Sequence, residues 1–511
     1  MPSQNKILII GAGLGGLATA LRLSSRGYTN ITIVDKAATP GGRLNILEKE
    51  GFRFDTGPSF FSMSYEFDEL FQYCGIKNPL HYRALDPLYT VYIAGREKPF
   101  RIYRDLQKLA KEFEHIEPDL DKKLKKYLTN AGKIFHDTEN RVVKRDFKNL
   151  IDYFFALAGV PWKHAPRMFY TMWSDLERHI DSDEAKIIFS LVSFFLGNTP
   201  FETPAVYKLL SYTEFIHDGY WSVEGSMYSI VEKIVGLLKD SGVHFEMNTE
   251  ITEPIFKESK IVGFRSQDGR QFLANIFVCN SDAAAFRGLV LKRKKFNIKN
   301  LDNLEWTLAP FTIYVGLNKQ LPNLNHHNYF LGSNFREYAK IIFKTSVAPE
   351  KPYYYVNIPS KSDPSCAPPG CENLFFLCPV PDRRFKPDWS DAEQLANNIL
   401  EDFESRIGQS VRSQIITKTV WTPTDWENKF NLYRGSGLGL SHGLNQIGGF
   451  RPAIEDEEFK NLFYVGASTR PGTGLPMVVI SSKLAAQKII SRFPSSGKLK
   501  EEKFVMDNLE N

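Results

Sequence analysis

The sequence contains few cysteines, and none of them is arranged to bind a metal. Five cysteines are scattered through 511 residues, and no two of them form a C-x-x-C pair. They are Cys74, Cys279, Cys366, Cys371 and Cys378. An odd number of dispersed thiols is typical of a reduced, cytoplasmic protein. The ten histidines show no zinc-ligand spacing either, so we expect no metal site.

The sequence also lacks an apolar run long enough to cross a bilayer. One of the longest runs, IIFSLVSFFLG at residues 187–197, falls well short of the roughly 20 residues that a spanning helix needs. The first ten residues, MPSQNKILII, have no basic region ahead of a sufficient apolar stretch, which argues against a signal peptide. We therefore expect a cytoplasmic protein that is soluble or peripheral to a membrane, and not an integral one.

No block of basic residues dominates the sequence, although its formal net charge is +5 and its pI is about 8.6. No module combining aromatic and basic residues recurs, which argues against nucleic acid as a partner. Weak attraction to an anionic membrane surface stays open. Aromatic residues form 13% of the chain and serve either a large core or a long apolar binding site. A chain of 511 residues predicts two domains or lobes.

The first residues carry a strand, a glycine-rich turn and a helix. Lys6–Ile10 ends in consecutive apolar residues and predicts a buried parallel strand. Gly11, Gly13 and Gly16 follow in a G-x-G-x-x-G pattern, and an apolar-periodic helix comes next. Such glycines permit a tight turn and let backbone N–H groups approach a pyrophosphate at the helix N-terminus. The pattern predicts a dinucleotide-binding turn, and Gly15 belongs to it.

An acidic residue ends the second predicted strand. Asp35 lies 19 residues beyond Gly16, where a carboxylate can accept hydrogen bonds from ribose hydroxyls. A carboxylate at this place also repels a 2′-phosphate. The sequence therefore argues against NADP as the cofactor.

The segments after Asp35 resemble those of a flavoprotein. Residues 40–43 read PGGR, and residues 55–59 read DTGPS. This order resembles the oxidoreductases of the amine oxidase and carotenoid desaturase superfamily, in which such segments lie along the pyrophosphate and ribityl chain of FAD. The resemblance implies FAD as the cofactor. It also implies that FAD contacts Lys36, Gly42, Arg43, Gly57, Pro58 and Ser59.

Two later segments extend the resemblance towards the end of the chain. Residues 221–227, WSVEGSM, lead through a helix and three strands to N-S-D at residues 280–282. In the superfamily this unit returns to the FAD domain, which implies that the backbone of Ile251 meets the adenine. Residues 466–479, GASTRPGTGLPMVV, resemble the last glycine-rich turn, whose helix start favours an anionic reduced flavin. The residues implied beside the flavin ring are Gly466, Met477 and Val478.

Residues 425–452 and 193–204 are similar to segments of the bacterial-type phytoene desaturases, and the first of them contains FNLYRGSGLGL and ends in FRP. Arg470 stands where that family commonly has His, and Met477 where it usually has Gly. These departures suggest a branch that acts on an already modified carotenoid, such as a 1-hydroxy-carotenoid 3,4-desaturase. Phytoene desaturase, carotenoid isomerase and an amine-oxidase-like flavoenzyme remain the alternatives.

The fold that the resemblance implies is mixed α/β. It consists of a Rossmann-type FAD-binding domain, a discontinuous substrate-binding domain and a helical insert that associates with a membrane. Residues 151–172 mix apolar and basic residues, as an interfacial face does. The expected division is residues 1–79, 220–300 and 422–495 for FAD binding, residues 80–219 and 301–421 for substrate and membrane, and residues 496–511 as a polar tail.

The chemistry that the resemblance implies is removal of two hydrogens from a carbon–carbon bond beside a polyene. A flavin accepts the hydride, so the protein needs few acid or base residues. Glu224 and Arg470 are the polar candidates near the flavin, although surface or structural roles stay open for both. The expected partners are a carotenoid and the inner face of the cell membrane. The intact glycines and Asp35 argue against a lipid-escort protein that has lost its flavin.

Overall fold

The computed structural model describes residues 5–342 and 344–495. The predicted polar tail, residues 496–511, lies outside the described residues. The strands, in chain order, are β1 (Lys6–Ile10), β2 (Asn30–Val34), β3 (Ile46–Lys49), β4 (Phe52–Asp55), β5 (Tyr82–Ala84), β6 (Tyr89–Ile93), β7 (Phe100–Ile102), β8 (Trp221–Val223), β9 (His244–Glu246), β10 (Ile251–Lys257), β11 (Lys260–Ser266), β12 (Gln271–Leu273), β13 (Ile276–Cys279), β14 (Ala309–Leu317), β15 (His327–Leu331), β16 (Tyr354–Asn357), β17 (Glu372–Val380), β18 (Ile415–Trp421) and β19 (Leu462–Tyr464).

The α-helices, in chain order, are α1 (Leu14–Ser24), α2 (Ser64–Tyr73), α3 (Leu106–Phe113), α4 (Leu120–Thr138), α5 (Leu150–Ala158), α6 (Met172–Leu176), α7 (Asp183–Ser190), α8 (Leu209–Tyr212), α9 (Ser229–Asp240), α10 (Ala283–Leu289), α11 (Ile298–Asp302), α12 (Phe335–Ile341), α13 (Ala392–Ile407), α14 (Pro423–Phe430) and α15 (Leu475–Arg492).

A five-stranded parallel sheet forms the first half of the fold. Its strand order is β19-β13-β1-β2-β9, and each neighbouring pair is parallel. The apolar run of β1 is buried on both faces, because α1, α9 and α15 cover one side and α10 covers the other. The predicted Rossmann-type domain in a mixed α/β fold is confirmed. A parallel sheet is covered by helices on both faces, which explains why β1 is a continuous run of apolar residues.

A seven-stranded mixed sheet forms the second half, in the order β18-β14-β17-β16-β15-β6-β7. All nine residues of β14 are buried. Phe311, Ile313 and Val315 face α13, whereas Tyr314 points into a core shared with the helices between β7 and β8. The two faces of the sheet therefore belong to two different cores. One of them supports the wall of the cavity described below.

No helix among the described residues combines the length and the apolar character that spanning a membrane requires. In that same part of the chain, no group of three or more His, Cys, Asp or Glu residues could hold a metal ion.

The guanidinium of Arg451 joins two loops that border the cavity. The side chain is 1% exposed, and burial lowers its pKa to about 10, so it is charged at neutral pH. All five of its N–H groups donate to backbone carbonyls 2.6 to 3.1 Å away. The accepting carbonyls belong to Leu440, Ser441, Gln446, Ala467 and Thr469. No other side chain presents five donors in one plane, so this position requires arginine.

We expect Arg451→Lys to lower the melting temperature by several degrees. Lysine reaches fewer of the five carbonyls, and the buried oxygens left without a donor cost about 1–3 kcal/mol each. Arg492→Lys is the control, because Arg492 lies on the surface beside Glu455 and exposed pairs contribute about 0–1 kcal/mol. Thermal unfolding followed by circular dichroism measures both variants. Equal melting temperatures for the two would contradict the role of Arg451.

Candidate functional site

The first glycine turn is shaped by close contacts at each glycine. Gly11 follows β1 with φ +104°, a conformation that favours glycine. A Cβ on Gly13 would lie 2.5 Å from Nδ2 of Asn280, and one on Gly15 would lie 2.5 Å from Oδ1 of the same residue. Gly16 does not line the cavity. A Cβ there would meet the carbonyl oxygen of Gly11 at 2.3 Å, so Gly16 serves the packing of α1 on the turn.

Asp35 ties the end of β2 to this turn. Its carboxylate accepts hydrogen bonds from the backbone N–H groups of Ala12, at 2.7 Å, and Ala37, at 2.8 Å. Burial raises the pKa of Asp35, while the two amides lower it. Lys36 also lines the cavity, and its ammonium donates to the side chain of Asn431. A carboxylate thus stands at the carboxyl end of the second strand, as a ribose-binding residue would.

The PGGR segment lies against the first turn. A Cβ on Gly42 would be 3.2 Å from the Cα of Gly13. Arg43 donates from Nη1 to the carbonyl of Gly437 at 2.9 Å, and the rest of its guanidinium has no hydrogen-bond partner among the described residues. Burial lowers the pKa of Arg43, and the carboxylate of Asp282 opposes that lowering. Free guanidinium donors on a cavity wall suit an anionic ligand.

The remaining predicted cofactor residues lie on the same cavity wall. Gly57 is confined by the carbonyl oxygen of Arg43, which a Cβ would approach to 2.3 Å. The glycine-rich turn after β19 leads into the N-terminus of α15, which begins at Leu475. Besides Gly57, the predicted cofactor residues that line the cavity here are Pro58, Ser59, Ile251, Gly466, Met477 and Val478.

The two predicted catalytic candidates do not have the surroundings of catalytic groups. Glu224 is exposed, and it is absent from the wall of the cavity. Arg470 does border the cavity, but its guanidinium donates to the carboxylate of Asp146 and to the carbonyls of Phe147, Gly448 and Gly449. These bonds make Arg470 a structural link between the insert and the last turn.

Two side chains that the sequence analysis did not single out contact the glycine turns, namely Asn280, which is partly buried, and His442, which is buried. Asn280 follows β13 and contacts glycines of both turns. His442 accepts the backbone N–H of Thr473 at 3.3 Å, and a Cβ on Gly472 would lie 2.7 Å from the same ring nitrogen. Burial lowers the pKa of His442 well below its ordinary value, and Arg451 adds to the lowering. Both lie in segments with a family resemblance, but neither residue type marks a cofactor site by itself.

A single cavity of about 1470 Å³ runs from the glycine turns into the second half of the fold. Sites for one small ligand usually measure about 300–1,000 Å³, so this volume leaves room for a cofactor and a second, long molecule. Beyond the turns the wall is built mainly from aromatic and aliphatic side chains. Rings on that wall include Phe60, Phe194, Phe195, Tyr220, Tyr329 and Phe335.

The residues at the glycine end fit a flavin with a pyrophosphate. Cβ-free backbone from Gly11, Gly13 and Gly15 lines the cavity there. Arg43 offers unpaired cationic donors, and α15 begins beside the cavity, which its first four residues line. Helix starts and guanidinium groups both favour anions. These are the properties that a phosphate chain requires of its binding site.

The parallel sheet, its two glycine turns and the cavity between them define a flavin-dependent oxidoreductase. Residues 14–490 match the family model of the flavin containing amine oxidoreductases. The chain is 32% identical over 495 residues to a zeta-carotene-forming phytoene desaturase of Myxococcus xanthus, an alignment that covers 95% of this chain and 94% of the relative. The chain therefore belongs to the flavin containing amine oxidoreductases and, among them, to the carotenoid desaturase group.

A second relative supports the family, and two solved structures share the fold. A phytoene desaturase of Phycomyces blakesleeanus is 31% identical over 507 residues, covering 96% of this chain and 86% of the relative. An oxidoreductase from Methanosarcina mazei superposes with a TM-score of 0.62 at 17% identity, covering 94% of this chain and 100% of that one. A putrescine oxidase gives a TM-score of 0.62 at 13% identity, covering 96% and 99%. The two structures establish the shared fold.

We expect Gly13→Val to yield protein without flavin. A branched side chain would displace Asn280 and occupy the space where the turn meets the pyrophosphate. Gly236→Val is the matched control, because Gly236 lies on the exposed side of α9 and a Cβ there would have no atom within 4 Å. The visible absorbance of bound flavin and the far-ultraviolet circular dichroism report binding and folding separately. A normal flavin spectrum in folded Gly13→Val would contradict the assignment of the turn.

Proposed function

We propose that the protein is an FAD-dependent carotenoid desaturase that introduces a carbon–carbon double bond into a long polyene. The observation that carries the proposal is the continuity of one large cavity, from the glycine turns past a ring-lined wall to the helical insert. An elongated apolar molecule can lie along such a wall with one of its bonds at the cofactor. The related phytoene desaturases support the same substrate class.

The cofactor residues follow from the positions described above. Gly11, Gly13 and Gly15 would hold the pyrophosphate, Asp35 the ribose hydroxyls, and Arg43 a phosphate. The other proposed contacts are Lys36, Gly42, Gly57, Pro58, Ser59, Ile251, Gly466, Met477 and Val478. The strands of the parallel sheet lie within residues 1–79, 220–300 and 422–495, which supports the expected FAD-binding domain. The seven-stranded sheet comes from residues 80–219 and 301–421, the expected substrate-binding region.

The chain contributes to the reaction chiefly through placement. When bound, FAD supplies a two-electron acceptor for a hydride. The apolar wall excludes water and holds the polyene against the cofactor, which converts an encounter into a fixed geometry. The second hydrogen would leave the neighbouring carbon as a proton and pass to solvent water. We assign no acid or base role to Glu224 or Arg470, because the first lies outside the cavity and the second is bonded within the protein.

A 1-hydroxy-carotenoid is the substrate that we propose within this class, and the bond is the 3,4 bond. The motif departures at Arg470 and Met477, both of which border the cavity, support a branch distinct from phytoene desaturase. Phytoene itself is the second candidate, because it is the substrate in the names of the related desaturases.

Anaerobic mixing of the FAD-loaded protein with carotenoids in liposomes tests both levels of the proposal. The expected results are bleaching of the flavin absorbance by a 1-hydroxy-carotenoid and a product that is two mass units lighter and absorbs at longer wavelength. A small primary amine should leave the flavin oxidised. Reduction by the amine alone would contradict the desaturase proposal. A product of unchanged mass would point to an isomerase, and equal reduction by hydroxylated and parent carotenoids would contradict the hydroxy-specific branch.

We further propose that the protein binds the inner face of the cell membrane through a patch of exposed apolar side chains. The patch lies on α5, on the short 3₁₀ helix Trp162–Met168 and on the residue that follows it. Its members are Ile151, Phe154, Phe155, Trp162 and Phe169, each more than half exposed. Phe154 and Trp162 also line the cavity. Large exposed apolar patches mark interaction sites, and Lys163 and Arg167 beside the rings suit anionic lipids. The patch thus gives a bilayer-dissolved polyene a direct route to the cavity.

We expect the double variant Phe155→Glu and Trp162→Glu to bind liposomes at least about tenfold more weakly, since each large side chain inserted in lipid contributes about 1.5–3 kcal/mol. Phe256→Glu is the control, because Phe256 is 50% exposed on β10, outside the patch. Co-sedimentation with vesicles of phosphatidylglycerol and phosphatidylethanolamine measures the binding. Unchanged binding of the double variant would contradict the proposed membrane face.

A further inference from the structure

Three tyrosines on one region of the apolar wall, with two more polar side chains packed behind them, are groups that an all-hydrocarbon substrate does not need. We call the whole group the polar cluster and define it by Tyr89, Glu214, Tyr220, Tyr329 and Tyr355. The rings of Tyr89 and Tyr329 are 5.5 Å apart, and those of Tyr329 and Tyr355 are 5.2 Å apart. They come from β6, β15 and β16, whereas Glu214 lies in the π-helix Thr213–His217. A sheet and a helix therefore converge on one spot.

The polar cluster surrounds Phe60. The ring of Phe60 lies 4.9 Å from that of Tyr220, 6.1 Å from Tyr329 and 5.2 Å from Tyr355. Phe60 follows Ser59 directly in the chain, and the DTGPS segment is one of the proposed cofactor contacts. The cluster consequently lies at the cofactor end of the cavity, close to where a bond of the substrate would react.

Two hydroxyl groups of the polar cluster are free. Tyr220 and Tyr329 line the cavity and are 4% and 8% exposed. Neither hydroxyl has a hydrogen-bond partner within residues 5–342 and 344–495. The hydroxyl of Tyr355, in contrast, is bonded to Nδ1 of His327 at 2.6 Å. Tyr220 and Tyr329 can each donate to a molecule in the cavity.

Glu214 stands behind these hydroxyls as a neutral acid. It is 4% exposed, and no cation in the described part of the chain pairs with it. Burial raises the pKa of its carboxyl to about 8, against a smaller lowering by the Tyr89 hydroxyl. The carboxyl therefore keeps its proton at neutral pH and is a hydrogen-bond donor. The titratable groups facing it are Tyr89, Tyr127, Tyr220 and Tyr329, and burial raises the pKa of each, so all four are neutral at neutral pH.

We propose that the polar cluster binds a hydroxyl group at the end of the polyene, an inference that rests on the proposed desaturase function. Donors left facing a hydrocarbon are unfavourable, because they lose the hydrogen bonds that water gave them. A substrate hydroxyl both accepts from and donates to such groups, and so restores those bonds. A site that offers hydrogen bonds to a hydroxyl rejects the analogue that lacks it far more strongly than an apolar pocket rejects a shape change. Tyr220 and Tyr329 are thus specificity-determining residues.

The test compares a 1-hydroxy-carotenoid with its non-hydroxylated parent in the FAD-loaded protein. We expect Tyr220→Phe and Tyr329→Phe each to lower the preference for the hydroxylated substrate by about fivefold to tenfold, through a higher KM for that substrate alone. The kcat/KM for the parent carotenoid should not fall, because each change removes a hydroxyl that would face hydrocarbon. Tyr92→Phe is the control: Tyr92 belongs to the same strand as Tyr89 but stacks on Phe330 at 4.6 Å, on the other face of the sheet.

The acid gives a second readout. As the pH rises through about 8, Glu214 becomes a carboxylate behind the wall and competes with the substrate for the hydroxyl hydrogens of Tyr220 and Tyr329, so the KM for the hydroxylated substrate should rise. Glu214→Gln keeps a donor that does not titrate, and the rise should disappear in that variant. A methyl ether of the substrate accepts a hydrogen bond but cannot donate one, so it distinguishes recognition of a hydroxyl from recognition of any oxygen. If the wild type prefers the ether over the parent carotenoid as strongly as it prefers the alcohol, the assignment to a hydroxyl is overturned.

The outcomes distinguish this inference from the function on which it rests. Desaturation of both carotenoids with equal kcat/KM by the wild type would overturn the role of the cluster and leave the desaturase standing. Unchanged preference in Tyr220→Phe and Tyr329→Phe would also overturn it. Failure of the wild type to oxidise either carotenoid would instead overturn the proposed function itself.

Discussion

The contact between Asn280 and two glycine-rich turns holds the cofactor end of the protein together. β1, β13 and β19 are neighbours in the parallel sheet, so their carboxyl ends deliver Gly11, Asn280 and Gly466 to one place. The carboxamide fits there because Gly13 and Gly15 have no side chains to fill the same space. Three distant parts of the chain thereby share one small volume. The helix starts of α1 and α15 take their positions from it.

The sequence predicted the elements whose cause is local. The run of apolar residues in β1, the glycine spacing and Asp35 follow from backbone geometry and strand burial, and the structure has the strand, the turn and the helix where they were expected. Asn280, His442 and the environments of Glu224 and Arg470 depend on which distant segments meet. No periodicity or spacing carries that information, because an asparagine between two turns looks like any other asparagine in sequence.

The cavity combines two kinds of wall that make different demands. At the glycine turns, backbone groups and the unpaired donors of Arg43 line the cavity, and the shape is set by close backbone contacts. Further along the cavity, apolar side chains provide space and exclude water without making hydrogen bonds to the ligand. Such a wall accepts many polyenes of similar width. Discrimination between polyenes with and without a polar substituent therefore has to come from a few hydrogen-bonding side chains. Tyr220 and Tyr329, whose hydroxyls are the free donors described above, are placed to provide it.

The order of strands in the parallel sheet has a consequence for biosynthesis. β1 is made before the other described strands, yet it pairs on one side with β13, and β13 in turn pairs with β19 near the far end of the described chain. Until those segments are made, an apolar strand that belongs at the centre of a sheet has an open edge, and such edges are prone to wrong pairing. The nascent chain therefore exposes an unpaired strand edge during synthesis, and both turns can enclose a flavin only after α15 has been made.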